Sequence, residues 1–282
     1  NKNDKEHELG GESAGWFPSI FVRPPAMKEL KEMQDFLGGS EAAQDALAVP
    51  DTWSDDSKAG KTTNVKFVAI PQKSTEWSAV EDPFIASMDG RRIRIKSIDR
   101  IENLGLWQSY AAKKNSMFLR AKNEGADSSK YEKPMMYHGT APEVIPKIAQ
   151  QGFNRAYCGK NAVRYGKGVY FALTSSYSNA YAGQNPKRMF VCRVLAGETS
   201  QGHNEQLVPE VRVAATNVMF DSTTDRVECP EPVDTGNPAA RSSVRQMYVV
   251  YHDAQAYPEY LIEVKKVSCV NCPFLYDYFL RK

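Results

Sequence analysis

The most informative run of this 282-residue chain covers residues 165–172 and reads YGKGVYFA. Val169 and Phe171 alternate with their neighbours after two glycines, which predicts a strand over residues 168–172. Tyr170 lies in that strand and offers a flat ring for stacking, an interaction of about 0.5 to 1.5 kcal/mol. The run therefore indicates a strand with an aromatic side chain beside backbone that a ligand can approach closely.

Two further segments carry polar groups that suit the same kind of ligand. His138 and Gly139 follow a short apolar strand predicted over residues 135–137, so a ring nitrogen lies beside backbone that has no side chain. Ser178 can donate a hydrogen bond to a carboxamide, and Tyr181 adds a second flat ring. Taken singly, each is more often structural, since a lone histidine is usually a satisfied core residue and a strand tyrosine is usually buried.

The chain is predicted to place helices early and strands late. An amphipathic helix is predicted from Leu104 through Met117, and another follows Pro142 and ends at Gly152. Five strands are predicted in the C-terminal half, over residues 168–172, 188–195, 211–219, 247–253 and 260–265. Residues 221–246 contain prolines and a glycine break, which predicts a loop. This order indicates an α+β domain.

The N-terminal part has the weakest pattern. Helical spacing predicts short helices over residues 27–37 and 40–47, while Val65, Phe67 and Ala69 alternate with polar residues as a half-buried strand does. Three parts are predicted: an irregular extension over residues 1–65, a catalytic domain over 66–265 and a C-terminal extension over 266–282.

Composition excludes several classes of protein. The apolar share of 41%, the charged share of 25% and the net charge of +2 are those of an ordinary globular protein, and no apolar run is long enough to span a membrane. The cationic run 91–96 is predicted to be a strand with its charges in water rather than a nucleic-acid site. Five scattered cysteines favour a reducing, intracellular compartment, either cytoplasmic or nuclear.

The order and spacing of these motifs resemble the PARP-type (diphtheria-toxin-like) ADP-ribosyltransferase catalytic domain, most closely its macrodomain-associated mono-ADP-ribosylating branch. The resemblance runs from about Trp77 to Ile262. The segments that carry it are 100–103, 106–110, 138–140, 152–162, 165–172, 193–197, 220–222 and 255–262. The family's fold, a split antiparallel β-sheet with NAD in a cleft and flanking helices, agrees with the strands predicted independently.

The resemblance also implies a role for each candidate residue. His138 is expected to bind a ribose 2'-hydroxyl on the adenosine side of NAD, and Tyr170 and Tyr181 to enclose the nicotinamide ring. The remaining expected contacts are the carboxamide contacts of Gly139 and Ser178, the adenosine-side contacts of Thr140 and Asn154, and a cleft-facing Lys167.

One departure from the family pattern predicts the product. Polymer-forming members place a catalytic glutamate just before a strand that corresponds to residues 248–251, and this chain has Met247 there. A one-residue shift in register would place Gln246 instead. Neither side chain accepts a proton at neutral pH, so the sequence predicts transfer of a single ADP-ribose unit to protein acceptors, including itself.

Other functions remain as alternatives. A catalytically silent module would bind NAD or a protein through the same cleft, and a tRNA 2'-phosphotransferase would use NAD on a related core. A zinc site at Cys269 and Cys272 lacks a second ligand pair, so no metal is expected. The extension before residue 66 is too short and irregular for the helical domain through which DNA controls some polymerases.

Overall fold

A nine-stranded sheet dominates the described part of the chain in the computed structural model. The structure describes residues 48–61, 65–88, 93–157, 163–183, 186–232 and 243–266. The strands of the sheet are β1 Lys66–Ala69, β2 Ile93–Glu102, β3 Glu132–Gly139, β4 Val169–Ala172, β5 Lys187–Leu195, β6 Thr199–Gln201, β9 Ser222–Thr224, β10 Met247–Val250 and β11 Ala256–Lys266. Their order is β1-β2-β11-β5-β3-β4-β10-β9-β6, and β7 Val211–Val213 and β8 Val218–Met219 form a separate pair.

The sheet divides between β3 and β4. These strands share one register pair, Tyr137 with Ala172, whereas β3 pairs with β5 from Glu132 to Gly139. The described pairings are antiparallel except that of β6 with β9. The predicted α+β class and split antiparallel sheet are therefore confirmed, and the split brings the ends of β3 and β4 beside each other.

Helices flank the sheet, and the two longest of those described begin at side-chain caps. The helices are α1 Asp55–Lys58, α2 Thr75–Ala86, α3 Leu104–Asn123, α4 Ile145–Gln151 and α5 Ser175–Ser178. Ser74 accepts a hydrogen bond from the Trp77 amide at 3.1 Å, and Asn103 accepts one from the Leu106 amide at 3.2 Å. Gly152 follows α4 at φ +77°, a conformation that glycine adopts without strain.

Three apolar clusters pack against the described sheet, and two of them contain residues of β3. One contains residues of α4 and of the site strands, such as Ile148, Phe171 and Tyr248, and the other contains Trp77 of α2 and Tyr137 of β3. Successive strand residues point to opposite faces, which is why adjacent residues such as Met136 and Tyr137 enter different clusters.

Residues before the predicted catalytic domain also pack on the sheet. Trp53 is buried in an aromatic cluster with Tyr257. The buried Glu102 carboxylate accepts hydrogen bonds from Ser54 and Ser57 at 2.6 and 2.5 Å. This part of the chain therefore packs on the same sheet, while the two predicted domain boundaries, after residues 65 and 265, stay predictions.

Three sequence predictions differ from the structure. The strand expected over 211–219 is a hairpin, because Ala214–Thr216 form a 3-10 turn and Asn217 adopts a left-handed φ of +52°. The loop expected over 221–246 contains β9, whose Ser-Thr-Thr side chains are buried without an apolar pattern. Phe67, expected to be half-buried, is 43% exposed because β1 is an edge strand.

Several predictions fall on residues outside those described. These are the helices over 27–37 and 40–47, Arg91 and Arg92, and the cysteine pair at 269 and 272. Among the helices that are described, none is both long and apolar enough to cross a membrane.

Candidate active site

His138 and Tyr170 meet at the split in the sheet. His138 Nδ1 lies 2.9 Å from the Tyr170 carbonyl oxygen. Because a carbonyl can only accept, Nδ1 carries the hydrogen and Nε2 is left as an acceptor. Phe153 and Phe171 hold the imidazole, with ring centroids 5.1 and 5.5 Å from it.

The surroundings of His138 favour the neutral imidazole. Burial lowers the pKa of His138 below its usual value, and the hydrogen bond to the Tyr170 carbonyl opposes that effect. A neutral ring with its hydrogen on Nδ1 can accept a hydrogen bond from a hydroxyl at Nε2. This is the chemistry needed to bind a ribose.

Gly139 and Ser178 bring the end of β3 against α5. A Cβ atom at Gly139 would lie 2.1 Å from the Ser178 carbonyl oxygen, so only glycine fits here without a shift. The Ser178 hydroxyl donates to the Tyr137 carbonyl at 2.8 Å, which uses its single hydrogen. Its lone pairs remain able to accept from an amide N–H. Thr140 follows, and its carbonyl accepts from the Gly183 amide at 3.2 Å.

The Tyr170 hydroxyl stabilises the loop that precedes β4 through two hydrogen bonds. It accepts from the Tyr165 amide at 3.0 Å and donates to the Gly166 carbonyl at 2.9 Å.

Gly166 has a φ of +120°, and a Cβ atom there would lie 1.8 Å from the Tyr251 hydroxyl. A Cβ at Gly168 would lie 2.4 Å from the Val250 carbonyl. A side chain therefore does not fit at either glycine, and the expected access of a ligand to their backbone stays a prediction.

Met247 lies on the sheet face that carries Tyr170. β10 pairs with β4 so that Met247 is opposite Ala172 and Val249 is opposite Tyr170, and the side chains of such partners share a face. Tyr248 points to the other face, into the apolar cluster with Phe171. Met247 is 3% exposed. A one-residue shift would reverse the face, so strand geometry favours Met247 over Gln246 at the position where polymer-forming members of the family that this chain resembles carry a glutamate. We call this position the third corner of the candidate site, after His138 and Tyr170.

An aspartate that the sequence reading missed holds this corner in place. Asp225 follows β9, and its Oδ1 accepts from the amides of Gln246 and Met247 at 2.9 and 3.3 Å. Thr224 donates through its hydroxyl to the Met247 carbonyl at 2.6 Å. β9 therefore fixes the backbone of the residues that begin β10.

Tyr181 is an exposed aromatic residue that the structure pairs with a second one. Its ring stacks on that of Tyr177, with centroids 5.9 Å apart and planes at 29°. Tyr177 was not predicted as a site residue, although its spacing of four residues from Tyr181 is a signal for a helical neighbour. Both rings remain available to a ligand.

Asn154 and Lys167 are not joined to the other candidates by a described contact. Asn154 is exposed, and its side-chain oxygen accepts from the Ala156 amide at 2.8 Å, which shapes the turn after α4. Lys167 forms an ion pair with Glu205. Their expected places near NAD therefore stay predictions.

Comparison with known proteins identifies the family. The family described as the poly(ADP-ribose) polymerase catalytic domain matches residues 74–266. Human protein mono-ADP-ribosyltransferase PARP14 is 34% identical over 224 residues, which is 77% of this chain and 11% of that protein. Mouse protein mono-ADP-ribosyltransferase PARP10 is 30% identical over 206 residues, which is 71% of this chain and 19% of that protein.

A third relative, mouse protein mono-ADP-ribosyltransferase PARP12, is 28% identical over 223 residues, which is 78% of this chain and 28% of that protein. The chain thus spans between 11% and 28% of the length of these relatives. The family match contains eight of the nine strands of the described sheet, with β1 outside it, and every candidate residue from His138 to Met247. The resemblance expected from the motifs is confirmed, and the chain belongs to the poly(ADP-ribose) polymerase catalytic domain family.

Proposed function

We propose that this chain is an NAD-dependent protein mono-ADP-ribosyltransferase, which transfers one ADP-ribose unit to a protein acceptor and releases nicotinamide. The observation that carries the proposal is the position of Met247. It shares a sheet face with Tyr170, at the corner where polymer-forming members of the family carry a glutamate. The names of the similar proteins, which are mono-ADP-ribosyltransferases, support the same reaction.

The side chains at the split suit NAD. His138 Nε2 can accept from a ribose hydroxyl, while Tyr170 and Tyr181 would enclose the nicotinamide ring. Gly139 and Ser178 would hold the carboxamide, and Ser178 would do so as an acceptor because its hydrogen is donated to Tyr137. Thr140 and Asn154 would contact the adenosine half. Bound in this way, NAD supplies the ADP-ribosyl group, with nicotinamide as the leaving group.

The third corner restricts the acceptor. The thioether of Met247 cannot take a proton from an incoming sugar hydroxyl, and a general base contributes about 10² to 10⁴ in rate. A side chain that is already ionised, such as a carboxylate, needs no such base. Protein carboxylates are therefore favoured over the hydroxyl groups of an earlier ADP-ribose, and the reaction stops after one unit.

The acceptors are proposed to be proteins in the cytoplasm or the nucleus, including this protein itself. The cysteine content supports that compartment, since Cys192 and Cys229 are free thiols where the structure describes them.

Incubation with NAD labelled in the adenylate part tests the proposal. We expect covalent label on protein together with release of free nicotinamide. A parallel reaction with labelled free ADP-ribose controls for non-enzymatic attachment. Calorimetric binding of NAD without release of nicotinamide would contradict the proposal and would identify a catalytically silent module.

A further inference from the structure

Tyr177 and Tyr181 form an aromatic pair that remains open to solvent beside the candidate site. Tyr177 is 36% exposed and Tyr181 is 44% exposed, although both rings are large enough to be buried on folding. Their hydroxyl groups also interact, and this interaction raises the pKa of Tyr177. The pair lies at α5, whose Ser178 contacts the end of β3.

Tyr177 lies near the segments that carry three candidate residues, Tyr181, Tyr170 and Met247. Burial raises the pKa of Tyr177, and its interaction with Tyr181 and the electrostatic influence of Tyr165 and Asp225 raise it further. Tyr165 donates its amide to the Tyr170 hydroxyl at 3.0 Å. Asp225 accepts the amide of the residue at the third corner, as described above. The geometry agrees, because Tyr177 stacks on Tyr181 and lies on α5, which packs against β3 and β4. The strand β4 carries Tyr170 and pairs with β10, which begins at Met247.

The third corner lacks a hydrogen-bonding side chain. A ribose that enters a closed site gives up water from its hydroxyl groups, and a hydroxyl left without a partner costs binding free energy. Met247 cannot replace that water, since its thioether is at most a weak acceptor. A neighbouring polar group is needed, and Tyr177 is a nearby side chain with an exposed hydroxyl-bearing ring.

We propose that Tyr177 binds the nicotinamide-side ribose of NAD through its hydroxyl and so provides the contact that Met247 cannot make. The inference rests on the proposed function, because it requires NAD in this cleft. The phenol has one hydrogen and two lone pairs, so it can donate to Tyr181 and still accept from a ribose hydroxyl. Because it stays protonated at neutral pH, it holds the sugar without activating an acceptor, which agrees with transfer of one unit.

Two matched variants test the inference. Tyr177→Phe removes the proposed contact and keeps the ring stack. Tyr181→Phe also removes the interaction between the two hydroxyls, but it keeps the hydroxyl of Tyr177. Calorimetry would measure the binding of nicotinamide and of a carbocyclic NAD analogue that cannot release it. We expect Tyr177→Phe to bind the analogue about 3- to 10-fold more weakly and nicotinamide unchanged, while Tyr181→Phe loses less affinity for the analogue than Tyr177→Phe does.

Two results would overturn the inference. One is an unchanged affinity of Tyr177→Phe for the analogue. The other is an equal loss in both variants, which would mean that Tyr177 only orients Tyr181. Failure of the proposed function has a different signature, namely wild-type protein that binds the analogue but releases no nicotinamide from NAD.

Discussion

Replacing His138 with alanine is expected to lower protein labelling from NAD by about 100-fold or more. The imidazole is held by the Tyr170 carbonyl and by Phe153 and Phe171, so its Nε2 has a fixed position relative to the split. Without it the substrate loses one of the contacts that orient it, and a misplacement of about 1 Å can cost about 100-fold in rate. Initial rates of labelling at several NAD concentrations provide the measurement.

A second histidine serves as the control for this variant. The His203 side chain is 60% exposed and contacts Glu210, itself exposed, at 3.5 Å. His203→Ala should keep the wild-type rate. The unfolding midpoint of each variant shows whether the fold is retained, because the imidazole also packs against two phenylalanines. Wild-type labelling by a folded His138→Ala protein would remove His138 from the site.

Replacing Arg193 with methionine is expected to lower the free energy of unfolding by about 3 to 5 kcal/mol. Arg193 donates to Glu259 at 2.9 Å and to Glu132 at 3.3 Å, and both carboxylates are largely buried. Methionine has a similar length but no charge, so it leaves the buried Glu259 carboxylate without its cation, while Glu132 keeps its ion pair with Lys114. Urea unfolding at neutral pH would measure the loss, and Lys130→Met, at a largely exposed position, should show almost none.

The stability difference between wild type and Arg193→Met should shrink as the pH falls. Burial raises the pKa of Glu259 even with Arg193 beside it, so loss of the cation raises it further. A carboxyl group with a raised folded-state pKa destabilises the fold where it is ionised, and the penalty disappears as it takes up a proton. Unfolding at about pH 8 and about pH 5 tests this. An equal difference at both values would contradict the proposed cause.

The strands near the site were predictable because their side chains alternate. Residues 168–172 and 188–195 show apolar periodicity, and β4 and β5 lie there with shifts of one residue. β9 was missed because its buried face is made of hydroxyls. The hydroxyls of Ser222, Thr223 and Thr224 each donate a hydrogen bond to a backbone carbonyl. No apolar pattern in the sequence reveals such an arrangement.

The candidate site was predictable only where one segment carries its own signal. His138 with Gly139 and Tyr170 with its glycines stand in recognisable runs. Tyr177 and Asp225 act through contacts with other parts of the chain, so their neighbours are known only after folding. For the same reason the sequence does not show that a side chain at Gly166 or Gly168 would meet Tyr251 or Val250, which only the fold reveals.

The length of the attached product tests the central claim most directly. The claim is that this protein, with Met247 at the third corner, adds one ADP-ribose unit and cannot extend it. Intact modified peptides would be analysed by mass spectrometry after prolonged reaction with excess NAD. We predict a single ADP-ribose at every modified side chain. Peptides that carry two or more units joined through their riboses would contradict the claim.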